Sequence, residues 1–248
     1  PFLSTNSSTA GTTLSISPQT DAEATKKRIE NTIKNAKAWM EKFENHSAFG
    51  NEIVAIQSKL SAIEEQITSG LCEGEGLTID FFLMIHEPAV GKMDDKLEKA
   101  IIACHARITE GLEKTAPQVV GMEGGWAEHE SMPVYIAELG RSYDLNNEIS
   151  RAAFDRKITN MVQLYAPFQW QLRNLSHLVT GVEDETLHTR TDDLHEYHYY
   201  HSKEENIGQV HEALVVELRS YMGLAKLIHY LKANKLQHGA IIFGAAHG

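Results

Sequence analysis

Cysteine is nearly absent: Cys72 and Cys104 are the two in 248 residues. That excludes a disulfide scaffold and a Cys-rich zinc module, and leaves open one bridge between them. Positive charge is scarce too. Against 34 Asp and Glu stand 23 Lys and Arg, a formal net charge of −11, and no basic run exceeds Lys26-Lys27-Arg28. Such a chain lacks the surface that releases counterions from nucleic acid or adheres to anionic lipid. A run of about eighteen apolar residues is missing, so no transmembrane helix is expected. No Gly-x-Ser-x-Gly elbow occurs, and Gly121-Met122-Glu123-Gly124-Gly125 lacks the lysine of a phosphate-binding loop. Serine-hydrolase and P-loop chemistry therefore have no motif to rest on. No internal repeat is present.

What remains is enough chain for one substantial core. Residues 1–20, PFLSTNSSTAGTTLSISPQT, hold few large apolar groups to offset the entropy of ordering and read as a flexible arm. They lack the charged-then-apolar design of a signal peptide, and with Pro1 in place of an initiator Met they agree with a processed or secreted form. Sequons at Asn6, Asn45 and Asn174 decide nothing, since such tripeptides arise by chance.

From Asp21 the pattern turns helical. Ile29, Ile33, Ala36, Met40 and Phe43 recur every three or four residues, and after Gly50 so do Ile53, Ile56, Leu60, Ile63 and Ile67, with Gly70 at the position of a C-terminal cap. Residues 21–70 thus predict a helical hairpin. Residues 77–248 predict the main core. There Leu77 to Ile85 is a near-continuous apolar run, a strand buried on both faces, ending at His86-Glu87-Pro88. A helix over Asp94 to Lys114 and a short strand at Val119-Val120 complete a unit whose spacing suits a right-handed crossover and a parallel pair. Residues 126–175 read as mainly helical, clearest over Leu145 to Tyr165 with Pro167 closing it, and 181–206 as a loop or short helices. A long helix with Ile207, Val210, Leu214, Leu218, Met222, Ala225, Ile228 and Leu231 as its stripe then feeds the buried strand Ala240 to Phe243. The expected fold class is α/β: a mostly parallel sheet flanked by helices, with an N-terminal helical hairpin extension and helical insertions.

Strand ends deliver the candidate chemistry. His86 with Glu87, then Glu123, then His247 each follow an apolar run by at most a few residues. Parallel strands would bring them to one edge, where imidazole and carboxylate act as acid and base on a water or bind a metal. Capping of exposed turns is the bland alternative. Arg219 borders the apolar stripe of the last helix, placed either to hold a carboxylate or developing oxyanion at the sheet edge or to pair with Glu217 on the surface. In His195-Glu196-Tyr197-His198-Tyr199-Tyr200-His201, three histidines at spacing three would share one side of a helix. They offer ligands to a transition metal, and Tyr197, His198 and His201 could face iron or haem. This is not the His-Glu-x-x-His motif, because position 199 is Tyr. An ordinary exposed loop or interface is the competing reading. His105, His129, His211, His229 and His238 read as packing or surface residues.

These motifs resemble a broad superfamily, the erythromycin-esterase-like, ChaN haem-binding and TraB/Tiki proteins. The resemblance rests on Phe82-Leu-Met-Ile-His86-Glu87, on Val119-Val-Gly-Met-Glu123, and on Leu218-Arg219-Ser220-Tyr221-Met222 leading to Phe243-Gly-Ala-Ala-His247-Gly248. It covers roughly residues 77–248, and Leu83 stands where the family's Gly-x-x-His carries glycine. It implies an α/β sheet with a His/Glu site at the strand ends, used for metal-dependent peptidase or esterase hydrolysis in some branches and for haem or iron binding in another. Taken together, the leading expectation is a hydrolase acting on a small molecule or peptide with water as nucleophile. His86, Glu123, Arg219 and His247 carry it, and His86, Glu87, Glu123, His247 and His195 are the candidate ligands for a divalent Mn, Zn or Fe. The alternatives are a protein that binds iron, haem or another metal, and a non-catalytic interaction or toxin module of the same fold.

Overall fold

The computed structural model describes residues 6–8, 11–15, 21–85, 94–125 and 130–244. Two short strands, β1 (Asn6–Ser8) and β2 (Gly11–Ser15), lie within the segment expected to be a flexible arm. This corrects that expectation: β2 pairs antiparallel with the first core strand, Thr12 opposite Phe81. Backbone pairing to an otherwise open sheet edge supplies what the arm's side chains do not.

The helical hairpin forms as its periodicity predicts. In α1 (Asp21–Phe43) and α2 (Gly50–Cys72) the two isoleucine-rich stripes are buried. Gly70 does not cap α2, which runs on to Cys72. The reason for glycine is proximity: a Cβ at Gly70 would stand 2.7 Å from the Cβ of Ala225 and 2.8 Å from its carbonyl oxygen.

Next come β3 (Thr78–Met84), α3 (Asp95–Thr115) and β4 (Val119–Met122). Asp94 caps α3, its side chain accepting from the Leu97 amide. Three helices follow, α4 (Met132–Gly140), α5 (Glu148–Gln163) and α6 (Ala166–Arg173). Pro167, expected to close a helix, instead stands in the first turn of α6, where its missing N–H costs nothing. Strand β5 (Leu178–Gly181) has no counterpart in the sequence reading. The stretch expected as a loop or short helices contains α7 (Glu185–His201), seventeen residues started by the Asp184 cap and anchored by buried Leu187, Thr191 and Leu194. The long final helix is interrupted: α8 (Ile207–His211) passes into a π-helical segment, Glu212–Leu218, and then α9 (Arg219–Ala233). Strand β6 (His238–Gly244) follows.

The sheet order is β1-β2-β3-β6-β4-β5, and the four strands β3, β6, β4 and β5 are mutually parallel. The α/β class with a mostly parallel sheet is therefore present. The expected neighbours β3 and β4 are not adjacent, because β6 inserts between them. Chain direction explains the layering. From β3 to β4 to β5 the strands advance across the sheet with α3 and then α4–α6 as connections, whereas β5 to β6 steps back, so crossovers of one hand put α9 on the opposite face. Side chains of β6 record this by alternation. Ala240 and Ile242 pack with Ile108, Leu112, Phe168 and Trp170, while Ile241 and Phe243 pack with Leu227, Ile228 and Leu231. Behind α9, the hairpin joins Leu187, Leu194, Leu214, Leu218 and Met222 in a third apolar cluster. Among the described residues no helix is long and apolar enough to cross a membrane.

Candidate functional site

The carboxyl ends of β4 and β5 and the start of α9 converge on a buried charge cluster. Glu123 follows β4 directly, and its carboxylate accepts the amide of Gly244 at the end of β6. Glu183 lies two residues beyond β5, its amide donating to the Gly125 carbonyl at 2.9 Å. Arg219 opens α9 and reaches both. Its Nη2 is 2.7 Å from Glu183 Oε1, its Nε 3.3 Å from Glu183 Oε2, and Nη2 stands 3.8 Å from Glu123 Oε1. The fork-on-fork geometry fixes the guanidinium plane. Exposures of 7% for Arg219, 2% for Glu183 and 7% for Glu123 place the cluster inside the protein. Burial works against the Arg219 charge, but Glu183, with Glu123 and Asp192 adding, outweighs it and holds the guanidinium above its ordinary value.

The π-helical segment sets that position. It buries four successive residues, Ala213 to Val216, just before Arg219. One widened stretch thus turns the arginine inward to the sheet rather than along the surface with Glu217. Seven residues later on the same face, Lys226 Nζ donates to the backbone carbonyl of Glu183. Glu183 is therefore held by α9 at both its carboxylate and its backbone. A third buried carboxylate, Glu130, bridges to β5 through its amide and the Val179 carbonyl, 2.8 Å. It packs where a Cβ on Gly125 would meet its Oε1 at 2.7 Å. Burial first, then the hydrogen bond to Glu130, raises the Tyr135 pKa and keeps that phenol protonated.

Of the residues singled out from the sequence, Glu123 and Arg219 meet here, while His86, Glu87 and His247 lie outside the described residues, as does His129. The histidine-rich run is elsewhere. On α7, His195 Nδ1 is 2.9 Å from His211 Nε2 and the His198 ring stacks on His211 at 4.2 Å. His201 instead stacks on Tyr197 at 4.0 Å and bonds its backbone. Tyr197 in turn donates to Glu204 at 2.7 Å and meets His46 and Phe49 edge-on. The three histidines, all on α7, thus lie in two neighbourhoods, His195 and His198 beside His211 and His201 beside Tyr197. Among the described residues no three His, Cys, Asp or Glu side chains stand where they would share a metal ion. At the charge cluster, both Glu183 oxygens are on Arg219 and one Glu123 oxygen is on Gly244, so these residues alone do not make a metal site. Cys104 is a free thiol directed at the Leu83 carbonyl, 3.7 Å away.

Glu183 is the participant that the sequence reading missed. It obeys the same rule as Glu123, a carboxylate just past a buried strand, but its strand, Leu178 to Gly181, has Val179 as its one large buried apolar side chain, where the equally short β4 has Val119, Val120 and Met122. Comparison with family models, with curated proteins and with solved structures finds no match.

Proposed function

We propose that this chain is a hydrolase of the peptidase or esterase type, with water as nucleophile, working at the carboxyl ends of β4, β5 and β6. The observation that supports it most is Arg219, buried and held in one orientation by Glu183 beside Glu123. A fixed cation inside a low-dielectric edge is suited to a developing oxyanion, since it needs no reorganisation as charge builds. In this reading Glu123 takes the proton of the attacking water, Glu183 positions Arg219, and Arg219 orients the anionic group. His86 and His247, which follow β3 and β6 in the chain, supply the imidazoles of acid–base transfer. The superfamily resemblance of the strand-end motifs points the same way. The test is turnover by the full chain on short-chain p-nitrophenyl esters and fluorogenic peptides, with and without chelator. We expect hydrolysis of one class well above buffer, and absence of turnover on both would remove the reading.

A further inference from the structure

We propose that the carboxyl end of β3 is an acyl subsite, where the exposed surface of Leu83 and Ile85 receives an apolar chain on the acyl side of the substrate. Resting on the hydrolase reading, this narrows the substrates to esters and peptides with a large apolar acyl group.

Strand β3 stays apolar past the point where its cover ends. Ile79 and Phe81 pack on the α9 face of the sheet with Ile241 and Phe243, and alternation puts Leu83 on that face too. Exposure rises from 1% at Ile79 to 40% at Leu83, and Ile85, just past the strand, is 39% exposed. Strands next to parallel neighbours are ordinarily covered on both faces, so a bare apolar end calls for an occupant. Register indicates which one. Leu83 is paired with Phe243, and Met122 with Ile242, so Glu123, one residue on, stands level with Phe243. Arg219 meets Glu123 from α9, on the same face. Glu123, Phe243 and Leu83 thus form one row across the adjacent strands β4, β6 and β3. Two interstrand spacings, about 10 Å, separate its ends. Phe243 in the middle is fully buried, its ring on Phe81 at 5.8 Å and against α9, where a Cβ on Gly223 would meet its Cζ at 2.5 Å. The row therefore leads from the carboxylate that takes the proton of water, past a buried aromatic ring, to an exposed leucine. A substrate attacked beside Glu123 would lay its acyl chain along that row.

The test compares kcat/KM of the full chain on p-nitrophenyl acetate and p-nitrophenyl octanoate in wild type, Leu83→Thr and Ile85→Thr, with melting temperatures as the check on folding. Threonine suits a strand, so the fold is expected to survive at these exposed positions. The octanoate-to-acetate ratio is expected to exceed about tenfold in wild type and to fall by at least about tenfold in Leu83→Thr, the scale of lost apolar contacts in a substrate pocket. Ile85→Thr should lower it in the same direction. Turnover without chain-length preference, or a preference untouched by both substitutions, would overturn the subsite and leave the hydrolase reading standing. Absence of turnover on both esters removes that reading, and calorimetric titration with octanoate and acetate then decides the subsite. Octanoate binding weakened to the same extent in Leu83→Thr supports it, whereas octanoate binding that is absent or insensitive to the substitution overturns it. So does a wild-type dimer that Leu83→Thr dissociates, since a second copy would then be the occupant.

Discussion

The contacts of single side chains decide where charge is tolerated in this protein. Arg219 and Glu183 are each other's main compensation in a buried setting, so removing one strands the other. Arg219→Met is expected to destabilise by about 3–5 kcal/mol, the usual result of leaving a buried ion unpaired. Replacing both, as Arg219→Met with Glu183→Leu, is expected to recover much of that loss. Urea unfolding of the three variants checks it, and additive losses in the double variant would contradict the pairing. Glu217 works in the opposite direction. Burial first, then repulsion from Glu212, raises its pKa, against a lowering hydrogen bond from Thr32. The folded chain then binds that proton more tightly than the unfolded chain, so Glu217 weakens the fold as pH rises through its raised value. Glu217→Gln is expected to stabilise the fold at neutral pH by about 0.5 kcal/mol or less, as befits a partly exposed group, read as a higher melting temperature. The gain should vanish in acid, where both proteins are neutral at that position.

Elements depend on close approach as much as on periodicity. Gly70 lets α2 lie against α9 backbone-to-backbone, and the atoms that a new methyl would meet include the Ala225 carbonyl, which cannot swing aside. Gly70→Ala is expected to cost about 1–3 kcal/mol, read as a lower urea midpoint, despite the better helix propensity of alanine. The stripes of α1 and α2 and the apolar runs of β3 and β6 were legible in the sequence because long buried segments repeat one period many times. β5 was not, since Leu178-Val179-Thr180-Gly181 offers Val179 as its one large buried apolar side chain where the equally short β4 offers Val119, Val120 and Met122, and with it went Glu183. α7 escaped because three buried positions, Leu187, Thr191 and Leu194, are diluted by fourteen polar or aromatic neighbours. The π-helical segment left a trace in the spacing of four that runs from Val210 through Leu214 and Leu218 to Met222. That spacing gives the widened turn only in hindsight, since an α-helix accepts it as well.

At the scale of the molecule, the hairpin is part of the core rather than an appendage. Ile53, Ile56 and Ile63 share a cluster with Leu214, Leu218 and Met222, the residues that flank Arg219 on its helix. The sheet, α9 and the hairpin therefore form successive layers, and Arg219 is set by packing on both sides of its helix. The parallel order β3-β6-β4-β5 gathers the carboxyl ends of four strands along one edge, which is where α/β sheets hold ligands. The proposed activity stands or falls on that edge. Comparing kcat/KM of the wild-type chain with Glu123→Gln tests it most directly, because glutamine keeps an oxygen to accept the Gly244 amide while it cannot take a proton from water. The account predicts unchanged far-UV circular dichroism with a loss of at least about a hundredfold in rate, the scale of a lost general base. Equal rates in the two proteins would contradict it.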